Sequence, residues 1–201
     1  LNYEAYYCRS IAYQSKGENN LALADLAKAI LIHPNYDAFI QRGQILQKQN
    51  KFLLSINDFS KAIEFKKSEE SYALRSYSFI MLKEYEKALF DLDSAIIFSP
   101  KNSKLLFDRA ALKIALDKNR EAISDVNAGM VFDKKSSTAY INRGLAYKNI
   151  GKKDSAIVDI GGEAMSYKEL LLGYASAVGL RRTLLPVPLF SPKLSSYWLT
   201  L

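Results

Sequence analysis

YALRSYSFIMLKEYEKALFDLDSAIIFSP, residues 72–100, is the stretch that decides the fold. It sets Arg75 sixteen residues before Asp91 and closes on Pro100. Outward from there the same pair returns in both directions. Arg9, Arg42, Arg75, Arg109 and Arg143 follow one another at spacings of 33, 33, 34 and 34 residues, and Asp25, Asp58, Asp91, Asp125 and Asp159 keep the same four spacings. Two residue types holding one register identify an internal repeat. A period near 34 residues is the length of a helix-turn-helix unit, which cannot bury its apolar face alone, so copies stack and share a core. The expected fold is an all-α solenoid, at least as far as Asp159.

Each unit reads as two helices. In the quoted stretch Ala88, Leu92, Ala95 and Ile96 fall at i, i+4, i+7 and i+8, the apolar stripe of a second helix, helix B. Short polar turns (Lys16-Gly17-Glu18-Asn19, Lys48-Gln49-Asn50, Lys118-Asn119) separate it from a first helix, helix A, and force the two to run antiparallel. Arg lies on helix A and Asp on helix B. The pair is therefore expected to bridge helices, inside a unit or with the next, and to be worth about 1 kcal/mol or less if exposed. Phe59, on helix B, is expected in the core.

The flanking positions carry a family resemblance. An aromatic or large apolar residue stands three before each Arg (Tyr6, Phe39, Tyr72, Leu106, Tyr140), and Ser10, Gly43, Ser76, Ala110 or Gly144 follows it directly. Then come Ala22, Ser55, Ala88, Ala122 and Ala156; Leu26, Phe59, Leu92, Val126 and Ile160; and Ala29, Ala62, Ala95 and Gly129. Pro34 and Pro100 close two units, where Lys67 and Lys134 stand in the others. In this order of small, aromatic and proline positions the chain resembles the tetratricopeptide repeat. The resemblance implies a right-handed α-solenoid with four full units (3–35, 36–68, 69–102, 103–136), a partial fifth (137–159), and 160–201 as an irregular, partly helical tail outside the repeat.

In that family helix A lines the inner surface, so the resemblance implies a groove formed two residues before and two after each Arg. The implied residues are Tyr7 and Ile11, Ile40 and Gln44, Ala73 and Tyr77, Phe107 and Ala111, Ile141 and Leu145. They are mostly apolar or aromatic. Members that grip acidic chaperone tails place Lys, Asn and Arg there; none occurs, so that partner class is disfavoured. The implied function is a non-catalytic protein–protein interaction scaffold that binds an apolar or amphipathic peptide.

Composition narrows the alternatives. Of 201 residues 49% are hydrophobic and 24% charged, which excludes gross disorder. No apolar run approaches the roughly 18–20 residues of a membrane span and no secretory signal opens the chain, so the expectation is a soluble, cytoplasmic protein with no membrane partner. Leu1 is not a start methionine, and a longer parent chain is expected. The net charge of +7 raises nucleic acid as a partner. Its distribution disfavours that: Lys66, Lys67, Lys101, Lys104, Lys134 and Lys135 fall at junctions between units, whereas Lys16, Lys48, Lys51, Lys83, Lys118, Lys152 and Lys153 fall near the turns inside them. Basic residues on both edges describe a solvated surface, where a phosphate-binding stripe would be one-sided. Cys8, the single cysteine, is expected to act as a small apolar side chain in the first helix. His33 reads as a helix C-terminal residue; with one His and one Cys no metal site is expected, nor a catalytic triad, nor a cofactor.

From Ile160 the repeat fails. Gly161-Gly162 interrupts helix B of the fifth unit, Ser166 and Glu169 form a capping box for a new helix, and Pro186, Pro188 and Pro192 crowd the end. Ile160-Gly161-Gly162, Ser166-Tyr167-Lys168-Glu169-Leu170, Gly179-Leu180-Arg181-Arg182, Pro186-Val187-Pro188 and Leu194-Ser195-Ser196-Tyr197-Trp198 together resemble the substrate side of atypical short-chain dehydrogenase/reductases, the epimerase-like group. What that chemistry needs is missing: no Gly-rich strand-to-helix turn for a dinucleotide, and no Tyr followed four residues later by Lys. The tail is then a fused or chimeric fragment, or a cap on the solenoid's open end, through which self-association would otherwise occur. A remnant of an NAD(P)-dependent oxidoreductase and a basic nucleic-acid scaffold stand as the alternatives to the peptide-binding reading.

Overall fold

A computed structural model describes residues 2–151. The expected Asp159 and the tail of 160–201 lie outside them. Nine helices run through the described residues with no strand among them: α1 (Tyr3–Ser15), α2 (Asn19–Ile32), α3 (Tyr36–Lys48), α4 (Phe52–Phe65), α5 (Glu69–Met81), α6 (Tyr85–Phe98), α7 (Ser103–Ala115), α8 (Asn119–Met130) and α9 (Ser137–Asn149). The odd-numbered helices are A helices; α1, α3, α5 and α7 each pack on the helix B that follows, which packs in turn on the next helix A. The all-α stack of helix pairs agrees with the sequence reading.

Local chemistry starts and stops the A helices. Asn2, Asn35, Ser68 and Asn102 stand at their N-caps, where side-chain oxygens accept from the amides of Ala5, Ala38, Ser71 and Lys104 at 2.9–3.2 Å. At the other end, Gly17, Asn50, Lys83 and Asp117 take left-handed backbone, with φ of 58–78°. The amide that follows each reaches back to the carbonyl five residues earlier, as Glu84 N–H does to Phe79 at 2.9 Å. This is the Schellman closure of a helix, and it turns the chain directly into helix B. Lys83 pays a steric penalty there that glycine would not. Lys83→Gly is expected to raise stability by about 1 kcal/mol, read as a higher denaturant midpoint with unchanged helicity.

The core runs along helix B. Ala22, Leu26 and Ala29, then Ser55, Phe59 and Ala62, then Ala88, Leu92 and Ala95, then Ala122 and Val126 are at most 2% exposed. Small residues opposite let the helices close. A Cβ on Gly43 would lie 2.5 Å from the Phe59 ring, so the ring occupies space that only glycine leaves. Gly129 makes the same allowance for Phe107.

The repeating ion pair lies within a unit. Arg42 Nε and Nη2 donate to the two Asp58 oxygens at 2.8 and 2.6 Å, and Arg75–Asp91 and Arg109–Asp125 repeat the fork. Arg9–Asp25 does so with a more exposed arginine, whose guanidinium holds the Asp25 carboxyl below the usual carboxylate range. The surface-pair magnitude expected from sequence does not apply to the inner pairs, because the Asp58 and Asp91 side chains are 3% and 1% exposed. The remaining Nη1 reaches back one unit: to Ser60 from Arg75, to Asp93 from Arg109, and to Asn127 from Arg143, at 2.6–2.9 Å.

Candidate functional site

Residues two before and two after each Arg are four apart and so lie one turn apart on one face of helix A. The structure divides them. In the row after the Arg, Ile11 is 41% and Tyr77 50% exposed, Ala111 is exposed, and Gln44 and Leu145 are half-buried. In the row before it, Tyr7, Ala73 and Ile141 are half-buried, but Ile40 and Phe107 are buried outright at 5% and 3%. Those two leave the accessible surface. Ile40 packs in a cluster with Phe39, Phe59 and Ala62, and Leu74 of α5 closes over it. Phe107 turns into the cluster of Ala110, Ala122 and Val126, against Gly129.

The accessible row continues where sequence reasoning did not look. Met81, one turn beyond Tyr77, is 45% exposed. Tyr77 is held from the side by Phe52 of the preceding unit, edge to face with centroids 6.5 Å apart. Gln47 does not project freely: its Nε2 donates to the Leu74 carbonyl and to the Ser78 hydroxyl, at 2.7 and 2.6 Å, tying α3 to α5. Cys8 is exposed, not packed as a small apolar residue.

Polar groups edge this face. The Tyr7 hydroxyl is pushed above its ordinary pKa by burial and then by the Asp37 charge, with Gln41 hydrogen-bonded to it in opposition. Tyr36 donates to Glu70 at 2.9 Å and shares a hydrogen bond with Ser68. Burial raises the Asp108 carboxyl too, with Lys104 pulling the other way. Asp37 and Glu70 sit in first helical turns, where carboxylates favour the helix dipole, so their sequence signal is that of helix starts. Among the described residues no cluster of His, Cys, Asp and Glu could hold a metal ion, and no helix is long and apolar enough to cross a membrane. His33 ends α2, its ring edge-on to Tyr3.

The model of the tetratricopeptide repeat family matches residues 137–160. A tetratricopeptide repeat protein from Parabacteroides merdae superposes with a TM-score of 0.81 at 24% identity, over 89% of this chain and 73% of its own. MamA protein gives 0.76 at 18%, over 92% and 98%. YrrB, described as a tetratricopeptide repeat protein with an unusual peptide-binding site, gives 0.75 at 18%, over 85% and 90%. No protein of curated function matches the sequence. Nothing in these comparisons supports the likeness of residues 160–201 to short-chain dehydrogenases. Stacked helix pairs, the matched repeat and the three superposed structures agree: this chain has the fold of a tetratricopeptide-repeat solenoid.

Proposed function

We propose that the chain is a cytoplasmic protein-interaction scaffold that holds an apolar or amphipathic peptide segment against the A helices. The observation that carries this is the open apolar row: Ile11, Tyr77 and Met81, each 41–50% exposed, on helix faces whose other side is core. Of the three, Tyr77 is fixed by a neighbour and so loses little entropy on binding. Tyr77 is the natural anchor, because its ring is already positioned by Phe52 and aromatic anchors dominate interface energies. The likeness to YrrB, which its description gives a peptide-binding site, supports the class of ligand. Ile40 and Phe107 have no part in the contact, since both are in the core.

The test uses a peptide selected from a displayed library against the full chain. Tyr77→Ala is expected to weaken its binding by at least about thirtyfold, the threshold for an interface anchor, while the far-ultraviolet circular dichroism stays unchanged. Undiminished affinity in Tyr77→Ala would place the ligand elsewhere. Phe107→Ala, by contrast, is expected to report on stability.

A further inference from the structure

The most exposed large apolar side chains are not on the A helices. Four are at least 69% exposed: Leu53, at 70%, lies at the start of α4, whereas Leu31 at 86%, Ile97 at 78% and Val131 at 69% all stand six residues after the repeating Asp, at the C-terminal end of a helix B. In the second unit that position holds Glu64, ion-paired with Lys61 at 3.0 Å. The next residue in each unit, Ile32, Phe65, Phe98 or Phe132, is 48–53% exposed. The aromatic ones in the middle units are braced from below: Phe65 stacks on Phe39 and Phe98 on Tyr72, with centroids 5.9 and 6.0 Å apart. One edge of the solenoid therefore presents an apolar ridge repeated over four units.

Lysines accompany it. Over the ten residues that begin three after each repeating Asp (28–37, 61–70, 94–103 and 128–137) there are seven lysines (28, 61, 66, 67, 101, 134, 135) against the five carboxylates of Asp37, Glu64, Glu69, Glu70 and Asp133. Four of the five are engaged within the fold: Glu64 is paired with Lys61, Glu69 accepts from Ser99 and Asn102, Glu70 accepts from Tyr36, and Asp133 accepts from the Lys135 amide. The edge is thus basic as well as apolar, which opposes pairing with the same edge of a second copy. Side chains that protrude this far do not line a groove for a peptide. They suit a partner that yields around them while offering negative charge between them.

We propose that this edge docks the chain onto the surface of a bilayer containing anionic lipid. The ridge side chains enter the boundary between headgroups and acyl chains, and the lysines lie along the surface with their ammonium groups at the phosphates. The absence of a membrane partner expected from sequence rested on spanning segments, and peripheral contact requires none.

The experiment is co-sedimentation of the full chain with phosphatidylcholine vesicles, with and without phosphatidylserine. Binding is expected only with phosphatidylserine, and it should fall as salt is raised. Removing Lys134 and Lys135 (both to Ala) should weaken it by about fivefold per lysine. The triple variant Leu31→Ser, Ile97→Ser, Val131→Ser should weaken it on the order of 100-fold, with unchanged circular dichroism because none of the three is packed. The proposal is overturned by equal binding to neutral vesicles, by no binding to either, or by a triple variant that binds like the parent. It is also overturned if the ridge variants abolish self-association or capture of an acidic amphipathic peptide while vesicles go unbound. Tyr77→Ala should bind vesicles normally, so this reading and the groove reading fail separately.

Discussion

Phe59→Ala is expected to lower the free energy of unfolding by about 3–5 kcal/mol, the usual cost of emptying a fully buried aromatic site. The ring is 0% exposed on α4 and lies against Gly43 of α3, with Ile40, Phe39 and Ala62 around it. Helical backbones on both sides hold the cavity open, so little collapse can offset the loss. Urea unfolding followed at the helical signal measures it. A shift worth less than about 1 kcal/mol would mean that the ring is not the keystone between the second pair of helices.

Arg75→Ala is expected to cost about 3 kcal/mol, the lower end of the range for orphaning one member of a buried pair. Asp91 keeps 1% of its side chain exposed and would lose both nitrogens of its fork, while Arg75 itself retains 18% exposure, which tempers the loss. Replacing both members by leucine should recover most of the stability, because the buried charge then disappears along with its partner. If the single variant unfolds at the parental denaturant midpoint, the fork contributes nothing to the fold.

These two expectations rest on residues that sequence could reach. Arg, Asp and the helix B stripe recur at one period, and a residue seen four times in one register reveals its environment through what all four copies share. The face of helix A was less legible. Ile40 and Tyr77 occupy sister rows, yet whether such a residue is open depends on its particular neighbour: Phe107 sinks because Gly129, on another helix, lacks a side chain. The turns were half legible. Gly17 and Asn50 advertise left-handed backbone, whereas Lys83 adopts it with no residue-type signal. The ridge of Leu31, Ile97 and Val131 was missed for the opposite reason: in a periodic pattern an apolar residue is first assigned to the core, and only coordinates show it facing out.

The third nitrogen of each arginine gives the array a grain. Arg75, Arg109 and Arg143 each clasp the preceding B helix, through Ser60, Asp93 and Asn127. The corresponding place before Arg42 is Ala27, which offers no side-chain acceptor. The joint between the first two helix pairs therefore lacks the arginine clasp and is held by Gln49, which donates to Asn20 at 3.2 Å, and by the packing of Leu26, Ala38 and Ile45. The arginine lacing thus begins at the second pair, and the first is fastened to the laced body by an exposed amide contact and apolar packing alone.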